Sequence, residues 1–176
     1  IQNNDKIGVI FFSNKIEKYI PPKKGRKHIL YIIRELLDFT PQSNQTDISV
    51  ALEFLSGVAK RHCTAFMMSD FYDRKSFLHP LTISNRKHDV VAIQVYDWWE
   101  RRLPDVGLLK VRDAESGYEQ YIDTGSKKLR DLHQRNWNNR QASLHEVFTK
   151  SNVDNVSIAT DEDYVKQLMM LFRKRN

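Results

Sequence analysis

Apolar residues run almost unbroken over residues 7–12, which predicts a strand buried on both faces. Ser13-Asn14-Lys15 supplies turn chemistry before a second run at 16–20. The pair reads as a β-hairpin closed off by Pro21-Pro22. Ile29, Ile32, Ile33, Leu36 and Leu37 then recur at helical spacing up to Pro41 and predict an amphipathic helix. Beyond the polar loop at 42–45, Ile48, Ala51, Leu52, Leu55, Val58 and Ala59 mark a second helix, opened by Thr46-Asp47. Short apolar runs at 64–68 and 89–96 stop abruptly at Ser69-Asp70 and at Asp97. They predict two parallel strands, joined by a crossover helix within 74–85.

The second half of the chain continues the alternation. Runs at 108–112 and 118–122 flank Ala114-Glu115-Ser116-Gly117 and predict a peripheral hairpin. A long helix is expected over 126–149, with Leu129, Leu132, Trp137, Leu144, Val147 and Phe148 on one side and a bend at Asn136-Trp137-Asn138-Asn139. A last strand at 156–159 leads into a final helix capped by Thr160, with Asp161, Glu162 and Asp163 in its first turn and Arg173-Lys174-Arg175 in its last. No repeat or linker divides the chain, so residues 1–176 are expected to form one α/β domain.

Composition narrows the class without naming a function. Cys63 is the sole cysteine, so no internal disulfide is possible and a reducing, cytoplasmic setting is expected. No apolar run approaches the roughly 20 residues of a membrane span. The chain opens on Ile1-Gln2-Asn3-Asn4-Asp5, with neither an initiator Met nor a leader pattern, and is expected to begin inside a longer protein. A net charge of +6 permits an acidic partner without requiring one.

In an open parallel sheet, ligand-binding groups collect at the carboxyl ends of strands. Thr46-Asp47, Ser69-Asp70 and Asp97 fall there, and a hydroxyl with carboxylates suits a hard cation such as Mg²⁺. The same residues equally serve as helix caps and turn closers, and spacing alone favours that use. Lys23, Lys24, Arg26 and Lys27 precede a helix, where positive charge opposes the dipole, so they are either a contact for a partner or phosphate or a solvated loop. Trp98-Trp99 is either an exposed anchor for a partner or packing at the end of the sheet. The histidines and Cys63 lack zinc-ligand spacing, and the glycines form neither a dinucleotide fingerprint nor a P-loop.

Taken in order, Asp5-Lys6-Ile7-Gly8-Val9-Ile10-Phe11-Phe12-Ser13, Thr46-Asp47 with Ala51, and Phe66-Met67-Met68-Ser69-Asp70 resemble successive blocks of von Willebrand factor A domains. More narrowly, Pro21-Pro22-Lys23-Lys24-Gly25-Arg26-Lys27-His28, His88-Asp89-Val90-Val91-Ala92-Ile93, Leu103-Pro104-Asp105-Val106-Gly107 and Asp123-Thr124 are similar to a bacterial family known as domain of unknown function 58. The resemblance spans residues from about 5 to 130. It implies a three-layer αβα sandwich, Rossmann-like, with a mostly parallel sheet and an antiparallel hairpin, lacking the first strand and helix. That strand would lie between residues 7–12 and 64–68, and its absence would leave an open edge for self-association. The resemblance makes Thr46 and Asp70 metal ligands of an incomplete adhesion-type site, since the family's Asp-x-Ser-x-Ser motif is absent. Mg²⁺ is then expected in the full-length parent and not tightly in this fragment.

The resemblance also implies action beside a MoxR-type AAA+ ATPase in protein assembly or maturation. The residues themselves offer ligands without a nucleophile and base, so binding is expected and catalysis is not. Asp47, Ser69, Asp97, the basic loop and Trp98-Trp99 are the expected partner-binding residues. Two alternatives stay open: a metal-dependent phosphoesterase using Asp70 and Asp97, and nucleic-acid binding through the basic loop, the less expected partner.

Overall fold

The computed structural model of the chain describes residues 5–113 and 116–175. The first expected hairpin forms from β1 (Ile7–Phe12) and β2 (Ile16–Lys23), which pair antiparallel. Contrary to expectation, Pro21-Pro22 does not end β2, which continues to Lys23 opposite Ile7. The register slips between Ile7 and Val9, as a ladder lacking two proline N–H donors requires. Gly8 sits in that slip, where a Cβ would lie 2.8 Å from the Ile20 carbonyl oxygen and 2.9 Å from the Pro22 nitrogen. Nor is β1 buried on both faces: Phe11 is its one buried residue, because the ribbon stands apart from the other strands.

Helix α1 (Arg26–Asp38) packs Ile32 against Phe11 and Ile20, with Phe39 stacked on Phe11 at 4.7 Å. The ribbon meets the rest of the molecule through α2 (Ile48–Val58). Tyr19 contacts Phe54 edge-on at 5.3 Å, and the Asp47 amide donates to the Ser13 carbonyl at 3.1 Å.

The central sheet contains β3 (Thr64–Ser69), β4 (Asp89–Tyr96) and β7 (Asp154–Ala159), all parallel, with β4 in the middle. Between β3 and β4 runs the crossover helix α3 (Leu78–Lys87), shorter at its start than expected. One face of the sheet carries α2, α3 and the long helix α5 (Lys127–Ser151), around a core of Ile48, Leu52, Met67, Leu81, Val90, Ala92, Leu144 and Phe148. The other face carries α6 (Tyr164–Arg175), whose Phe172 meets Phe66 edge-on. This is the α/β layering of the sequence reading, with a mixed complement of one parallel sheet and antiparallel ribbons. Among the described residues β3 has a strand neighbour on one side only.

Several boundaries moved for identifiable reasons. The 25-residue α5 runs unbroken through Asn136-Trp137-Asn138-Asn139, because Trp137 is buried against Tyr96 at a 5.0 Å ring separation. Leu132, expected inside, is exposed. Helix α6 starts at Tyr164, so Asp161, Glu162 and Asp163 precede it, and Asp163 accepts the Val165 amide; the Thr160 hydroxyl points to Asp97 instead. A one-turn helix, α4 (Trp98–Arg101), follows β4 and was not foreseen. The peripheral ribbon pairs β5 (Leu108–Arg112) with β6 (Glu119–Asp123), and Ala114-Glu115 of its expected turn lies outside the described residues. Buried Thr124 fastens the ribbon, its amide and hydroxyl both donating to the Gly107 carbonyl. Gly107 adopts φ of 76°, a left-handed conformation that glycine takes without steric cost.

Candidate functional site

The loops at the carboxyl ends of the strands divide into two neighbourhoods. In the first, Asp47 is extended at φ of −137° and caps α2, its carboxylate accepting the Val50 amide at 3.4 Å. Lys75 reaches back across the following loop to the same carboxylate at 2.6 Å. The Lys75 ammonium holds the Asp47 carboxyl below the usual carboxylate range, outweighing burial. Asp73 accepts the Ile48 and Lys75 amides, both at 2.8 Å, so the loop after β3 is tied to the start of α2. Lys75 was not singled out in the sequence; its spacing from Asp47 carries no local periodicity.

Asp70 stands exposed at the end of β3. One oxygen accepts the Tyr72 amide at 3.0 Å and the Ser69 hydroxyl at 3.3 Å, while Ser69 Oγ accepts the Phe71 amide at 3.0 Å. Phe71 has φ of 55°, a conformation costing a bulky residue about 1–3 kcal/mol. Packing of its ring edge-on to Phe148 at 5.2 Å holds it there. From the central strand, buried Gln94 donates to the Asp70 carbonyl at 3.4 Å and accepts from Ser157 at 2.8 Å. Gln94 was visible in sequence only as an interruption of an apolar run.

Asp97 belongs to the second neighbourhood. It caps α4 in a reciprocal box: its carboxylate accepts the Trp99 amide at 2.8 Å, and the Glu100 side chain accepts the Asp97 amide at 3.0 Å. One carboxylate oxygen thus serves as a cap, and the other faces the Thr160 hydroxyl. Trp98 and Trp99 are exposed on α4, with the Arg101 guanidinium 5.0 Å from the Trp98 ring centre. Arg140 lies 5.1 Å from both the Tyr72 and Trp137 rings and reaches Glu100 at 3.4 Å. The basic loop is elsewhere: Lys23 ends β2, and Lys24, Arg26 and Lys27 lie exposed at the uncapped start of α1.

Thr46 is half-buried and, among the described residues, makes no side-chain hydrogen bond. Thr46 and the remaining oxygen of Asp70 are two oxygen donors, whereas Mg²⁺ prefers six. Asp47 does not extend the set because Lys75 neutralises it. Among the described residues no three His, Cys, Asp or Glu side chains converge as a metal cluster. Taken by themselves these donors do not make up a Mg²⁺ site.

At the opposite ends of the strands, Cys63 Sγ lies 3.5 Å from Nδ1 of buried His88. Burial raises the thiol and lowers the imidazole, so both stay neutral near pH 7, which is the wrong state for a thiolate nucleophile.

Residues 1–143 match the family model described as protein of unknown function DUF58. The chain belongs to DUF58. The DUF58 chain is 27% identical over 175 residues to the uncharacterized protein Rv1480 of Mycobacterium tuberculosis, covering 97% of itself and 54% of that relative. It therefore spans about half the length of such curated relatives. The uncharacterized protein MAV169 of Mycobacterium avium is 24% identical over 158 residues, 89% of this chain and 93% of that one. Among solved structures, the DUF58 fold resembles the conserved hypothetical protein BatB from Bacteroides thetaiotaomicron, with a TM-score of 0.60 at 13% identity, covering 98% of this chain and 78% of that one. It also resembles an aerotolerance-related membrane protein from Bacteroides fragilis, with a TM-score of 0.58 at 15% identity over 97% and 80% of the two chains. These neighbours have the von Willebrand A-like architecture, which the DUF58 chain shares. No helix among the described residues is long and apolar enough to cross a membrane.

Proposed function

We propose that this DUF58 chain is a non-catalytic, cytoplasmic protein-interaction module that works beside a MoxR-type AAA+ ATPase in assembly or maturation of other proteins. In the parent protein, Thr46 and Asp70 contribute to a Mg²⁺-type site that meets an acidic group on the partner. The observation that supports this reading is the turn at the end of β3, where Asp70 is exposed beside a strained Phe71 and anchored by Gln94. Strained backbone held by core packing recurs at functional sites, and here it adjoins the exposed Asp70. A von Willebrand A-like fold is compatible with a binding module, and the partner is inferred from the family resemblance.

Calorimetric titration with Mg²⁺ and Mn²⁺ tests it, using this chain and a form extended to the length of its curated relatives. Binding in the extended form, lost in Asp70→Ala, is the expected result, with co-purification of the MoxR-type ATPase. Absence of ion binding in both forms would remove the metal from the reading, and failure to capture the ATPase would remove the partner.

A further inference from the structure

All three tryptophans of the chain gather where β4 ends: Trp98 and Trp99 on α4, and Trp137 against Tyr96. Beside α4 lies an open hollow of about 470 Å³, with Trp98, Trp99, Leu103 and Pro104 as its apolar walls and Arg102 and Arg130 at its rim. Its walls are fixed in advance. The Asp97–Glu100 box sets the α4 turn, Arg130 pairs with Asp105 at 3.0 Å and holds the Thr124 carbonyl, and His133 meets the Trp99 carbonyl at 3.2 Å. Arg102 is different: exposed at the rim, it has no acidic partner among the described residues.

Arg101, on the same turn, borders a second hollow of about 250 Å³ that Gln141 also lines. There the buried Gln141 Nε2 has no acceptor among the described residues, and neither has the nearby Arg140 Nε. Both atoms are closed to solvent, so an occupant of the hollows meets the aromatic walls and not these donors. The first hollow thus combines aromatic and apolar walls with the guanidinium of Arg102, unpaired among the described residues. Rigid tryptophans with an unpaired arginine are the composition of a binding hot spot.

We propose that this tryptophan–arginine surface docks an acidic segment of a protein partner. One aromatic or large aliphatic side chain enters the hollow beside Trp98 and Trp99, and a flanking carboxylate meets Arg102. The occupant is chosen by charge. A chain of net charge +6 opposes a second copy of itself and favours an acidic partner. Nucleic acid fits less well, because Arg101 covers a face of Trp98 that a base would need.

This inference rests on the reading of the chain as a protein-interaction module. The test follows the indole N–H signals of the three tryptophans in the full chain, assigned through Trp→Phe variants, as an Asp-Glu-Phe-Glu-Asp peptide is added up to millimolar concentration. Saturable movement of the Trp98 and Trp99 signals is expected, with binding weakened about tenfold or more in Arg102→Glu and Trp99→Ala. Both positions are exposed, so these variants should keep the fold, which unchanged remaining signals would verify. No movement, equal movement with a Lys-Lys-Phe-Lys-Lys peptide, movement caused by oligo-dT instead, or movement on simple concentration of the protein would each overturn the proposal. Capture of the MoxR-type ATPase separates the two readings. Capture unchanged in Arg102→Glu, with the peptide silent, sinks the docking surface and leaves the module standing. Capture absent from the unmodified protein tells against the module itself.

Discussion

Asp47 illustrates how much one carboxylate can organise. It caps α2, receives the Lys75 ammonium from the loop after β3, and its own amide holds the hairpin turn at Ser13. Asp47→Ala removes the first two of these and is expected to cost about 1–2 kcal/mol in urea denaturation. The sign of its pH dependence follows from its depressed pKa. The folded chain releases this proton more readily than the unfolded one, whose value is near 3.8, so the stabilisation is complete above that pH and is lost as pH falls through the folded value. Asp47→Asn should accordingly flatten the acid limb of the stability profile. In the folded chain the positive charge beside Asp47 comes from Lys75. Spacing showed that Asp47 stood at a helix start, but the charge that answers it comes from a loop 28 residues away. Such pairings depend on how loops fold over one another, which periodicity does not encode.

At the level of elements, the sequence revealed most where burial is one-sided or complete. The strand of residues 89–96 is legible because all but one of its residues from Val90 onward are buried, and α2 because Ile48, Ala51 and Leu52 share a face. It misled where backbone geometry, not hydrophobicity, decides. The two prolines of β2 look like a stop, yet an edge ribbon can keep them by slipping register opposite Gly8. Gly8→Ala therefore tests that geometry. Its methyl group would fall within 3 Å of two backbone atoms, and the expected cost is about 1–3 kcal/mol in thermal or chemical unfolding, with the central sheet's signals undisturbed. The one-turn α4 escaped for another reason: four residues are too few to show a period, and only its capping pair, Asp97 and Glu100, was there to be read. The second candidate surface stayed hidden with it, since Trp137, Arg140 and Gln141 join Trp98 and Trp99 only through the packing of α5.

For the whole molecule, the main feature is the separation of the ribbon β1–β2 with α1 from the parallel sheet. The ribbon has its own small core, Phe11, Ile20 and Ile32, and meets the remainder through Phe12 against the main core, α2, the Ser13–Asp47 bond and the Tyr19–Phe54 contact. Burial this modest sustains little independent stability. Amide exchange is expected to show the ribbon and α1 opening together, ahead of β4 and the helices around it, while the β4 amides exchange only on global unfolding. Uniform protection across both parts would contradict it. The molecule can then breathe at one flank while the loops at the carboxyl ends of β3 and β4 stay in place. Anything that bridges Ser13 and Asp47, whether a cation, a partner or a further strand, would act on the molecule as a clasp, converting two cooperative units into one.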